Sequence, residues 1–507
     1  MPDSTHLAPF VNSPDLCYFY FMRKFTILII FILCAAWLRA GDDSLHCFSV
    51  VAGKEATADG SVLLAHNEDD SGRLLVNILK VPAQEHRRGE VFTLKSGAVL
   101  PQVAVTAGML WLEIPESNFG DSYVNEHGVA VASDECPSRE DTAELTEGGI
   151  GFSLRRLVAE RARTAREGVR IAGELISRYG YNSPGRTYII ADANEGWLLQ
   201  AVMGKRWIAR RVPDEEVAVI ANRYTITRID LADPDNFQGS PDIVEYAVRR
   251  GWYDRQRDGE FNFARAYSKP GSYADMENIM RQWRGTDLLA SKSYKLDDPL
   301  PFSFKPRRGV RLNDLFKVLR DHYEGTKHDL SDDYRNGSPN SGKNRTICTE
   351  MTQYAFVAQL RGGLPAEIAH VVWIACRRPD SNAFSPWYVS LAKAPEGAGR
   401  EPCESAWKNH FSPLPPQVFE DAGLAFNTYA KLSEAVDRQY RNRIAMTQKV
   451  WRNFENFLFD DLKDHEKEFA FLLKSNRGLA RNIIDNYIHG LEYRKWFLAA
   501  ELIREFR

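Results

Sequence analysis

The segment from Cys47 to Asp69 constrains this chain more than any other. Cys47-Phe48-Ser49-Val50-Val51-Ala52-Gly53 is β-prone, Thr57-Ala58-Asp59-Gly60 is turn-forming, and Ser61-Val62-Leu63-Leu64-Ala65-His66-Asn67-Glu68-Asp69 is a second β-prone run. The pattern predicts an antiparallel hairpin. A turn within residues 57–60 returns the chain so that Cys47 lies opposite roughly residue 68. His66, Asn67, Glu68 and Asp69 then come back beside the thiol. A carboxylate there could hold an ammonium group, and a polar or basic neighbour could support a thiolate. A buried cysteine beside a solvated acidic loop fits the same spacing without any chemistry.

What precedes Cys47 bears on that choice. Met22-Arg23-Lys24 is basic, and Phe25 to Leu38 is apolar over about 14 residues, the length of a signal-peptide core and short of the ~20 residues that span a bilayer. Leu38-Arg39-Ala40 is a passable cleavage site. Residues 1–40 therefore read as an upstream extension and signal peptide, with translation from Met22, and residues 41–46 as a short propeptide. Their removal would make Cys47 the mature N-terminus and place its own α-amine within reach as a base, a known form of activated nucleophile. Localisation is then secreted or periplasmic. The alternative is a leader retained as a membrane anchor.

Lys+Arg 65 against Asp+Glu 68 gives a net charge of −3, which lacks the basic footprint of a nucleic-acid binder. Seven cysteines are present. Loss of the leader removes Cys17 and Cys34 and leaves an odd number, consistent with Cys47 unpaired. Cys136, Cys348, Cys376 and Cys403 could form two disulfides or stay as buried thiols. No His-Glu-x-x-His, paired Cys-x-x-Cys or P-loop pattern occurs, and His322 and His328 read as scattered polar residues. No metal or other cofactor is expected.

Strand-like runs fill residues 47 to about 132, Gly149 to Tyr179 is helical with Gly180 as its C-cap, and a second β block runs from Thr187 to Asn222. Residues 230–340 are irregular with short helices. Arg345–Glu350 and His370–Cys376 return to strand character, and Pro413, Pro415 and Pro416 mark a boundary. Beyond it Leu432, Val436, Tyr440, Ile444, Trp451, Phe454, Leu458, Leu462, Phe469 and Leu472 follow helical steps. Strands interleaved with helical blocks predict a layered α+β fold.

Several ordered blocks carry a resemblance. The hairpin with its Ala65-His66-Asn67-Glu68-Asp69 end comes first, then Val124-Asn125-Glu126-His127-Gly128-Val129-Ala130. Ile189-Ile190-Ala191-Asp192-Ala193-Asn194-Glu195-Gly196-Trp197, Arg210–Val217 and Ala221-Asn222-Arg223-Tyr224 follow. Together they resemble the cysteine-type dipeptidase family of dipeptidase A and the secernins, among the N-terminal nucleophile (Ntn) hydrolases. The resemblance implies a four-layer αββα sandwich over residues 47–400 with a helical C-terminal region, 415–507, packed on it. It implies Cys47 as nucleophile, Asp69 as the acid that orients its amine, Asn125 and Asn222 as oxyanion donors, and Arg345 as a distal arginine. His66 stands where relatives usually carry arginine, so electrostatic support for the thiolate is expected to be weaker or pH-dependent. Asn125 could instead serve the turn into Gly128, Asn222 cap a strand end, and Arg345 be an ion-pair partner. The implied substrate is a dipeptide or small peptide, with no stable membrane association after leader removal and with self-association open. The alternatives are an N-acyl amide hydrolase and a leader-retaining, membrane-anchored binding protein without catalysis.

Overall fold

The computed structural model describes residues 47–70, 72–115, 117–341, 345–399, 403–413, 421 and 423–507; the Phe25–Leu38 run, residues 41–46 and Pro415 and Pro416 lie outside them. Strand β1 (Phe48–Ala52) pairs antiparallel with β2 (Val62–Asp69), setting Phe48 opposite Asn67 and Ser49 opposite His66. That is the register expected from the turn at residues 57–60, and it carries Cys47 alongside Glu68.

The chain then leaves for a second sheet through β3 (Asn77–Val81) and two short ribbons, β4 (Gln84–Glu85) with β7 (Val105–Thr106) and β5 (Val91–Thr93) with β6 (Val99–Pro101). Next come β8 (Met109–Glu113), β9 (Ser122–Asn125) and β10 (Ala130–Glu135), followed by helices α1 (Leu154–Arg161) and α2 (Ala165–Tyr179). Strands β11 (Tyr181–Ala191), β12 (Gly196–Gly204) and β13 (Trp207–Val212) continue this sheet. Strand β14 (Val217–Ile220) crosses back to pair with β1, and β15 (Phe237–Gly239) forms the far edge of the second sheet. After helices α3 (Met276–Leu289) and α4 (Leu312–Leu319), strands β16 (Thr352–Leu360), β17 (His370–Cys376) and β18 (Ser385–Tyr388) complete the first sheet. Its order is β14-β1-β2-β16-β17-β18, and the second sheet runs β15-β13-β12-β11-β10-β9-β8-β3.

Alternation along the strands makes the layers. Leu110, Leu112, Ala130, Ala132, Ile189 and Leu198 face the core shared with the six-stranded sheet. Their neighbours Trp111, Val131, Ile190 and Leu199 pack outward on Leu154, Leu157, Val169 and Ile176 of α1 and α2. The other face of the six-stranded sheet is covered by α4 and by the tail helices α5 (Ala425–Asp437), α6 (Tyr440–Ser475) and α7 (Arg477–Glu505). Phe316 of α4 stacks on Phe384 at 4.0 Å, and Phe459 of α6 lies 5.1 Å from Trp373 of β17. The order is helix, sheet, sheet, helix, the expected αββα sandwich. Both sheets are covered on both faces, which is why the strands read as apolar runs and not as clean alternation.

Two local expectations are corrected. The helix over Gly149–Tyr179 is interrupted: Ala162 is extended (φ −83°, ψ 137°), and Thr164 caps α2 by accepting from the Glu167 amide. Arg345–Glu350 is a loop and not a strand. The Thr346 hydroxyl donates to the Cys348 carbonyl and the Thr349 amide to the Thr352 hydroxyl, local bonds that replace ladder pairing.

The helical tail is anchored to the sandwich by charge as well as by its apolar stripe, of which every predicted position except Leu472 is buried. Glu455 of α6 takes a bidentate pair from Arg320 at 2.5 and 3.0 Å, and one of its oxygens also accepts from the Phe384 amide at 2.9 Å. Removing one partner of a buried pair leaves the other uncompensated. Glu455→Ala is expected to lower the unfolding free energy by ~3 kcal/mol in urea titration, far more than an exposed ion pair would yield.

Candidate active site

Cys47 precedes β1 and is fully buried. Its Sγ donates to Glu68 Oε1 at 3.3 Å and lies 3.9 Å from the Asp69 main-chain oxygen. Strand alternation sends His66 and Glu68 into the gap between the sheets with Cys47 and Ser49, and Asn67 and Asp69 to the opposite face. Burial raises the Cys47 thiol well above the usual range, the negative charge of Glu68 adds to that, and Arg186 opposes it. The thiol is held protonated and depends on a base to become a nucleophile.

His66 is the centre of a buried charge chain. Its Nδ1 donates to Ser49 Oγ at 2.8 Å, Ser49 donates to Asp134 Oδ1 at 2.8 Å, and its Nε2 reaches Glu68 Oε2 at 3.0 Å. Burial alone would drive the proton off, but the bonds to Asp134 and Glu68 outweigh it and raise the pKa to about 9. His66 is therefore an imidazolium at neutral pH, so the weaker charge expected there does not follow, while the charge remains pH-dependent through about 9. Glu68 is held below its ordinary value against its own burial by the bond to His66. Beyond Asp134, Arg155 and Arg186 both donate to Ser133 Oγ, at 3.2 and 3.1 Å. Gly120 (φ +74°) makes room for the Glu68 carboxylate, since a Cβ there would lie 3.0 Å from Oε1.

On the opposite face, Asn67 Nδ2 donates to the carbonyls of Leu319 and Ile347, both at 2.9 Å. Asp69 Oδ2 accepts from the Thr349 hydroxyl at 3.3 Å, while its Oδ1 is buried without a hydrogen bond. Burial raises the Asp69 carboxyl to about 7, with the nearby Thr352 hydroxyl and Arg281 pulling the other way.

Arg281 of α3 is the residue that sequence reasoning missed. Its Nη1 donates to the Cys47 carbonyl at 3.2 Å, and its Nη2 to Asn222 Oδ1 at 2.9 Å and to Asn278 Oδ1 at 2.5 Å. Asn222 (φ +51°) is thus tied to Cys47 through Arg281, while its own amide donates to the Glu135 carbonyl at 3.0 Å. Arg345 Nη1 lies 3.6 Å from Glu277 Oε2, at the start of α3, the helix that also carries Arg281. Asn125 is committed elsewhere. Its Nδ2 donates to the carbonyls of Ala159 and Ala162 at 2.9 and 2.8 Å, closing the end of α1, and its Oδ1 accepts the amides of His127 and Val129. All four of its hydrogen-bonding positions are used, so the oxyanion role expected of Asn125 gives way to a structural one.

Cys136, Cys348 and Cys376 are buried thiols in no disulfide, and Cys403 Sγ donates to the Lys80 carbonyl at 3.6 Å. Two disulfides therefore do not form among these residues.

Residues 46–411, well over half the chain, match Peptidase family C69. The chain belongs to peptidase family C69. A "Probable dipeptidase" from Latilactobacillus sakei is 26% identical over 424 residues, 80% of this chain and 88% of that one. "Dipeptidase A" from Lactobacillus helveticus is 25% identical over 376 residues, 69% and 77% of the two chains. A conjugated bile acid hydrolase from Clostridium perfringens superposes at 12% identity and a TM-score of 0.31, over 75% of this chain and 98% of that one.

Within this C69 chain, Glu68 was legible as a hairpin neighbour. Asp134 and Ser49 carried no signal of their own, because their meaning depends on the sheets facing each other. Arg281 had one usable cue: Asp275, whose side chain accepts from the Asn278 amide as an N-cap, announces α3 and puts Asn278 and Arg281 on one face.

His66 titrates in a direction that can be checked. Its folded pKa, about 9, lies above the ordinary histidine value of ~6.5. Its contribution to stability is therefore full below about pH 6.5 and is lost as pH rises through about 9. His66→Gln should cost ~3 kcal/mol at pH 6, by leaving Glu68 and Asp134 uncompensated. The gap between variant and wild type in urea midpoints should close above pH 9.

Proposed function

We propose that the chain is a cysteine-type Ntn peptidase that hydrolyses dipeptides and other small peptides, with Cys47 as its mature N-terminus. Family membership and relatives named as dipeptidases support the reaction class. The observation that carries the reading is the setting of Cys47, its thiol against Glu68 and its carbonyl held by Arg281 at 3.2 Å.

In the reaction, Cys47 Sγ attacks the carbonyl carbon of the scissile amide as the thiol proton passes to the Cys47 α-amine. The C–N bond breaks as that proton moves to the leaving nitrogen, and a thioester remains on Cys47. Water then attacks the thioester, gives a proton to the α-amine, and releases the carboxylate product with the thiol restored. Asp69, with a buried oxygen not otherwise hydrogen-bonded, is the group that orients the α-ammonium. Arg281 supplies positive charge beside the reacting centre.

Maturation cannot use the α-amine, which is still the His46–Cys47 amide. Residues 1–40 are removed at export. Cys47 Sγ then attacks the His46 carbonyl carbon, and the His46–Cys47 C–N bond breaks as the thiol proton passes to the departing Cys47 nitrogen. Water hydrolyses the resulting thioester to release Gly41–His46 and restore the thiol. The basic Met22-Arg23-Lys24 and apolar Phe25–Leu38 segments support export to the periplasm or outside the cell.

Cys47→Ser should lower dipeptide hydrolysis by at least ~10³-fold, and sequencing of the active wild-type chain should begin at Cys47. Full activity from a chain beginning at Gly41 would contradict the proposal. Turnover of N-acyl amino acids alone, with no dipeptide cleaved, would replace the substrate class by acyl amides.

A further inference from the structure

A second cluster of buried reactive side chains lies behind the catalytic hairpin, and the proposed reaction makes no use of it. His322, Cys348 and Asp380 present one nitrogen, one sulfur and one carboxylate oxygen within 4.8 Å of one another, all buried. His322 Nε2 is 3.9 Å from Asp380 Oδ2 and 3.1 Å from Asn340 Oδ1. Asn340 Nδ2 in turn donates to Asp380 Oδ2 at 2.8 Å. The other imidazole nitrogen, Nδ1, pairs with Glu324 Oε1 at 3.0 Å.

We propose that Cys348 Sγ, His322 Nε2, Asp380 Oδ2 and Asn340 Oδ1 form a structural site for a divalent cation of zinc type. Sulfur, imidazole and carboxylate are the donors such an ion takes, and tetrahedral Zn–S and Zn–N bond lengths place ligand atoms ~3.3–3.8 Å apart. The spacings from His322 Nε2, 3.9 Å to Asp380 Oδ2 and 3.1 Å to Asn340 Oδ1, bracket that range, and Cys348 Sγ lies within 4.8 Å of the His322 and Asp380 donors. Glu324 on Nδ1 is the outer carboxylate that fixes the tautomer of a metal-binding histidine. Asp380 Oδ2 also accepts from the Tyr440 hydroxyl at 3.0 Å, and Arg378 Nε lies 3.4 Å from Asp380 Oδ1, so an ion would take its place on Oδ2 in exchange for a hydroxyl donor. Asp380 and Glu324 also line a cavity of about 500 Å³.

The position of Cys348 gives the site a consequence. Its neighbour Ile347 accepts from Asn67 Nδ2, and its other neighbour Thr349 donates to Asp69 Oδ2. An ion on Cys348 would clamp the loop that braces the active-site end of β2, in a segment whose own backbone pairing is sparse.

The test uses the full chain incubated with Zn²⁺ and desalted, then read by plasma mass spectrometry. Among the described residues Cys47 with His66 and Glu68 forms a second metal-capable group, so Cys47→Ser is the control. About one zinc per chain is expected in wild type and in Cys47→Ser, and under about a tenth of that in Cys348→Ser and His322→Gln. With Co²⁺, wild type and Cys47→Ser should show a thiolate-to-cobalt charge-transfer band that Cys348→Ser lacks. Zinc absent from both wild type and Cys47→Ser would overturn the proposal without reference to whether the other variants fold. Zinc retained in folded Cys348→Ser and His322→Gln would do the same.

Discussion

His66 stands between Glu68 and Asp134 in the gap between two sheets, and the rest of the site is arranged around keeping that imidazolium there. Two carboxylates buried in such a place would be prohibitive alone. Each is compensated by the same ring, one directly and one through Ser49, with Arg155 and Arg186 adding positive charge beyond. Because His66, Arg155 and Arg186 offset its burial, Glu68 can remain ionised against the Cys47 thiol. The thiol is thereby kept protonated and dependent on a base close at hand. A histidine in place of an arginine does not remove the positive charge here, because the fold supplies two anions to hold its proton.

The opposite face of the hairpin performs a separate task. Asn67 is fixed by two carbonyls, Asp69 by a threonine hydroxyl, and Arg281 holds the Cys47 main chain while binding Asn222 and Asn278. Strand alternation divides these duties. One face sets the protonation of the sulfur, and the other positions the main-chain end where a free α-amine would act. The loop over residues 345–350 is irregular because it serves β2 on one side and the His322, Cys348 and Asp380 cluster on the other.

How much was legible in the sequence tracks how local each interaction is. The hairpin register could be read because turn and strands lie within one short stretch, and the tail stripe because its period is helical. The state of His66 could not be read, since Asp134 comes from the other sheet. Arg281 was missed because it meets Cys47 across 234 residues, from a region whose polar composition hid a capped helix. Asn125 was picked out as a residue of consequence, but its amide faces the end of α1 and not the thiol. That direction depends on how α1 packs across β9, which no spacing in the sequence reveals.

A Cys47 nucleophile bearing its own free amine can be found chemically, by labelling the purified active protein with a substoichiometric thiol-directed electrophile and mapping the peptides. Activity should be lost in proportion to label, with the adduct on a peptide whose first residue is Cys47 and whose α-amine is free. Inactivation that tracks label on Cys348 or another thiol, or on Cys47 still joined to His46, would contradict that role for Cys47.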